Sequence, residues 1–146
     1  MGEIKDIHKA CLNNNFKLFK KLIKDPKFKV NVRDNINFTP LMCACFSGNL
    51  KMVQSLLKMK SVMINARSRN GKTALIIAST RGHINIVKLL VKYKADSKIR
   101  QFEYSKKPCT KKTALNVALL CSHNKVSTYL KSKKAPKSKG YKNWTI

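Results

Sequence analysis

The sequence predicts an all-α solenoid of four helix-turn-helix units, joined by short hairpin fingers and followed by a basic C-terminal tail. Three observations predict it. First, Thr39-Pro40-Leu41-Met42-Cys43-Ala44 returns as Thr73-Ala74-Leu75-Ile76-Ile77-Ala78 and as Thr113-Ala114-Leu115-Asn116-Val117-Ala118, with threonine spacings of 34 and 40. Second, a turn residue (Gly48, Gly82 or Ser122) stands nine positions after each threonine. Third, an apolar run follows each turn in register: Leu50/Val53/Leu56/Leu57, Ile84/Val87/Leu90/Val91 and Val126/Tyr129/Leu130.

The first unit, about 4–37, fills the same slots one period earlier with Ile7, Ala10, Asn14, Phe16, Phe19, Leu22 and Ile23. In the second, about 38–71, Thr39 is the helix N-cap and Pro40 suits the first helical position, where its missing N–H costs nothing. Ala44 is small enough for two helices to approach closely, and Gly48 supplies the positive-φ turn between them. The third unit, about 72–111, shows the buried stripe most clearly, because Lys88 and Lys92 fall outside Ile84, Val87, Leu90 and Val91. Its finger, near 98–112, is six or seven residues longer than the others. The fourth unit covers about 112–132, and 1–132 is expected to form one repeat domain. A helix pair of this size cannot bury its own apolar face, so the units must stack around a shared core. Beyond it, 133–146 is rich in lysine and carries Pro136 and Gly140, which predicts a tail disordered when free.

These residues resemble the ankyrin repeat. The family pattern T-P-L-H-x-A-x-x-x-G-H is matched by Thr39-Pro40-Leu41 with Ala44 and Gly48, and by Thr73, Leu75, Ala78, Gly82 and His83. Asn31-Val32-Arg33-Asp34 and 65–71 look like the family's fingers, and Lys94-Ala95-Asp96 resembles its G-A-D. The first unit departs, with Lys5-Asp6-Ile7 in place of Thr-Pro-Leu, and the last helix carries Ser127 and Thr128; both departures suit terminal caps. The resemblance implies that His8, His83 and His123 hydrogen-bond backbone and orient turns, and that Cys11 and Cys45 pack between units.

Composition narrows the function. A hydrophobic content of 43% supports a folded core, while 32 lysines and arginines against six acids leave a net charge of +26. Such a charge favours an acidic partner, either another protein or RNA, over a neutral small molecule. The five cysteines are odd in number and include no C-x-x-C, which argues against a disulfide framework or zinc knuckle and for a reducing, intracellular setting. The cytoplasm is the default expectation, with the mitochondrion and nucleus as alternatives. No stretch reaches the roughly 18 apolar residues of a spanning helix. No phosphate-binding glycine loop and no paired carboxylates occur, so catalysis, cofactors, metals and small-molecule substrates are not expected.

Two binding surfaces are predicted instead. On the concave face and fingers, Ile36, Phe38 and Phe46 are expected to form an exposed apolar patch beside Arg67, Arg69, Lys72 and Arg81. In the long finger and tail, positive charge is interleaved with aromatics in the manner of RNA-binding arms. Those residues are Lys98, Arg100, Phe102, Tyr104, Lys106, Lys107, Lys111 and Lys112, then Lys131, Lys133, Lys134, Lys137, Lys139, Tyr141, Lys142 and Trp144. The expected function is a non-enzymatic interaction module on an acidic partner, with a structural subunit of a ribonucleoprotein such as a ribosome as the leading version. The alternative is a protein-only scaffold or inhibitor, in which the lysines only steer.

Overall fold

A computed structural model describes residues 3–103 and 110–133. Its helices pair in chain order as α1 (Glu3–Leu12) with α2 (Phe16–Leu22), α3 (Pro40–Ser47) with α4 (Leu50–Leu57), α5 (Ala74–Thr80) with α6 (Ile84–Lys92), and α7 (Ala114–Leu120) with α8 (Asn124–Ser132). The first helices stack on one another in the order α1, α3, α5, α7, and α4, α6 and α8 follow as a second layer. The expected tail, 133–146, lies outside the described residues except for Lys133.

Each pair is built by the same local chemistry. Thr39, Thr73 and Thr113 all precede a helix in extended conformation, and their hydroxyls accept from the backbone N–H of Met42, Ile76 and Asn116. Thr113 goes further, because its own N–H donates to Asn116 Oδ1 at 3.0 Å and closes a capping box. At the other end, the carbonyls of Ala10, Ala44, Ala78 and Ala118 accept from Asn15, Asn49, His83 and His123, which folds the chain back into the second helix. The turn residue between is left-handed in every unit: Asn14, Gly48, Gly82 and Ser122.

The apolar faces meet in one core. Ile7, Leu41, Leu75 and Leu115 occupy equivalent buried slots on the first helices, and Phe19, Val53 and Val87 do so on the second, with the buried Ser127 in that slot of α8. The first two fingers are turns, tied by Asp34 N–H to Phe38 O and by Ser68 N–H to Lys72 O. Among the described residues only the long third finger forms a strand pair, with β1 (Gln101–Glu103) antiparallel to β2 (Thr110–Lys112). Adjacent fingers are joined by backbone bonds from Arg69 N–H to Ile36 O and from Phe102 N–H to Asn70 O.

Candidate protein-interaction surface

The slot two residues after each contact alanine points away from the core, and it holds Leu12, Phe46, Thr80 and Leu120. Three of these are large and apolar yet remain 44, 40 and 49% exposed. Because they occupy one repeat position, the row follows from stacking the units, with Leu119 exposed beside its last member. Phe46 and Arg81 were expected here; Leu12 and Leu120 were not, although counting back from Asn14 and Ser122 finds them.

Arg81 is fixed over Phe46. Its guanidinium carbon lies 4.0 Å from the ring centroid and its Nε–H donates to Phe46 O at 3.3 Å. A cation over an aromatic face at an exposed site contributes about 0.5–1 kcal/mol and holds a positive charge against an apolar surface. Leu12, Phe46, Thr80, Arg81, His83 and His123 line a groove of about 440 Å³. In the last unit His123 Nε2–H donates to Thr80 O at 2.9 Å. One unit earlier, Arg81 occupies the equivalent carbonyl, and the buried Nε2 of His83 is left without a hydrogen-bond partner.

The fingers correct part of the expectation. Ile36 is exposed, but Phe38 is half-buried against the core and leaves the predicted apolar patch. Asp34 Oδ1 accepts its N–H at 2.7 Å and His8 Nε2–H donates to its carbonyl at 2.9 Å, which turns the ring inward. Arg67 and Arg69 are engaged within the molecule. Arg33 donates to Arg67 O at 2.8 Å, Arg67 to Arg100 O at 3.0 Å, and Arg69 to Asn35 O at 2.7 Å. These bonds form a ladder from finger to finger, and Lys72 is half-buried beside it.

The long finger departs in the same direction. Phe102 is half-buried, with the Arg67 guanidinium 5.4 Å and the Lys111 ammonium 5.8 Å from its ring. Lys112 is only 7% exposed, since it lies where β2 enters α7. Lys98, Arg100, Lys111, Lys131 and Lys133 are exposed. Tyr104, Lys106, Lys107, Lys134, Lys137, Lys139, Tyr141, Lys142 and Trp144, expected on the same surface, lie outside the described residues.

Stacking also brings together residues that the sequence scatters. Reactive-group atoms of His8, Asp34 and Cys43 lie within 4.8 Å of one another. Their types match a nucleophilic triad, yet Cys43 is 0% exposed and burial pushes its thiol pKa up. A nucleophilic cysteine needs the opposite environment, an accessible thiol with a lowered pKa.

No curated protein matches the chain. Among the described residues no helix is long and apolar enough to cross a membrane. A family model for ankyrin repeats in three copies matches residues 7–101 and again 64–143. Repeats of this kind serve as protein–protein interaction modules and are generally non-enzymatic. With the matching model spanning most of its length, and with equivalent threonine caps, contact alanines and left-handed turns in successive units, the chain belongs to the ankyrin-repeat family.

Proposed function

We propose that the chain is a non-enzymatic module that grips an acidic protein segment along the row of Leu12, Phe46 and Leu120, over the groove that Leu12 and Phe46 line. The supporting observation is the row itself: three exposed apolar side chains at one repeat position, with the Arg81 guanidinium seated on Phe46. Apolar anchors bounded by fixed positive charge suit a partner that alternates apolar and acidic residues, and the net charge of +26 speeds its approach.

The test is a pull-down with the full chain, run with and without nuclease. Capture is expected to survive nuclease, and to weaken about thirtyfold when Phe46 and Leu12 are both replaced by Ala, the effect of losing interface hot spots. Removal of 131–146 is expected to be tolerated. Capture that survives both replacements would overturn the reading.

The charge also favours a second reading, a small structural subunit of a ribonucleoprotein such as a ribosome. Lys17, Lys20, Lys21, Lys51, Lys88 and Lys92 are all exposed on the second helices, with Lys58 exposed at the end of α4, and RNA would neutralise the self-repulsion of +26. In that case nuclease abolishes capture, and RNA affinity falls steeply and linearly in log salt.

A further inference from the structure

Three ligand-bearing side chains from three separate elements converge beneath the first finger. His8 on α1, Asp34 in the finger and Cys43 on α3 each bring one nitrogen, oxygen or sulfur atom within 4.8 Å of the others. We propose that this cluster binds one thiophilic divalent metal ion, of the chemistry of Zn2+, and that the ion ties the first repeat to the second.

The donor set selects the metal class. A thiolate and an imidazole suit Zn2+, whereas Mg2+ and Ca2+ take oxygen ligands. Charge balance points the same way. One thiolate and one carboxylate match the two charges of the ion, so the closed site carries no net charge and can sit beside a buried core.

The outer shell that metal ligands need is already in place. His8 Nε2–H donates to Phe38 O at 2.9 Å, which orients the ring. Asp34 Oδ1 accepts from Ile36 N–H at 3.0 Å and Phe38 N–H at 2.7 Å, which pins the carboxylate. Ligand atoms of a tetrahedral zinc site stand about 3.5 Å apart, so binding draws this trio, now within 4.8 Å, together by up to about 1.3 Å. His8 and Cys43 are buried, and Asp34 is half-buried; the finger side is therefore the route of entry, and the fourth position falls to water.

Metal uptake converts the Cys43 thiol to a thiolate, forms the sulfur–metal bond and releases one proton to solvent. The ion would reinforce the first unit, which begins with Lys5-Asp6-Ile7 instead of the Thr cap of its neighbours.

The test is titration of the full chain, stripped with EDTA, with Co2+ as a spectroscopic probe. One equivalent is expected to give a thiolate-to-metal charge-transfer band that Zn2+ displaces. Cys43→Ala should abolish the band, and Asp34→Asn, which keeps Oδ1 for the finger amides, should weaken binding at least tenfold. Cys121→Ser, at an exposed site far along the chain, should bind as wild type. Far-UV circular dichroism of the metal-free variants reports whether each folds; if Cys43→Ala does not, Asp34→Asn decides. No thiolate band from the wild-type chain would overturn the proposal, as would wild-type affinity in Asp34→Asn or in a folded Cys43→Ala.

Discussion

His83 lays its imidazole across Gly48, so closely that a Cβ on that glycine would lie 2.6 Å from the ring carbon Cε1. The same contact recurs one unit later, where His123 covers Gly82 at 2.7 Å from Nδ1. In each case the first residue after one turn closes over the turn before it, so the crest of the solenoid is held between units as well as within them.

Gly82→Ala should therefore cost more than a turn glycine alone. The residue sits at φ +74, where an L side chain adds roughly 1–2 kcal/mol, and overpacking against His123 adds roughly 1–3 kcal/mol. A loss of about 2–5 kcal/mol is expected from the urea midpoint. Adding His123→Ala should recover the packing part and leave the backbone part, a non-additivity that a double-mutant cycle measures.

The threonine caps should not be equal. Thr73→Ala removes one acceptor for Ile76 N–H and should cost about 1 kcal/mol. Thr113→Ala breaks a reciprocal box and leaves Asn116, 3% exposed, with fewer partners, so about 2 kcal/mol is expected. Chemical denaturation of the two variants side by side checks the order.

The elements that could be read in advance are those set by short-range rules. Capping by Thr39, contact at Ala44 and the turn at Gly48 depend on a few neighbouring residues, and repetition made them visible. What could not be read depends on stacking. Phe38 turns inward because His8, thirty residues away, takes its carbonyl, and Lys112 is buried because the strand pair feeds it into α7. Arg33 and Arg67 stand one period apart, and that was a usable signal; which carbonyls they reach was not. His8, Asp34 and Cys43 carried no local signal at all, since each comes from a different element.

The arginine ladder should govern the long finger and barely affect global stability. Arg67 holds Arg100 O and lies against Phe102, whose N–H donates to Asn70 O. Arg67→Ala should raise amide exchange at Phe102 about tenfold or more by easing local opening, while the urea midpoint reports less than about 1 kcal/mol. Arg67→Lys should behave like Arg67→Ala, because a lysine cannot reproduce the planar fork. Wild-type exchange at Phe102 in either variant would mean that the strand pair holds itself.

The buried thiols predict alkaline behaviour with a definite sign. Burial pushes the Cys11 thiol from 9.0 up to about 12, and moves Cys43 and Cys45 in the same direction. The unfolded chain thus ionises first, so the stability these thiols confer is full below pH 9 and is lost as pH rises toward 12. Each adds a slope of about 1.4 kcal/mol per pH unit inside that window. The comparison that isolates the thiol is wild type against Cys11→Ala, both in EDTA. The variant should be less stable by a constant cavity cost near pH 8, about 1–2 kcal/mol, and that deficit should shrink as pH climbs from about 9 to about 11. A deficit that stays flat across the window would mean that Cys11 is solvated in the folded chain.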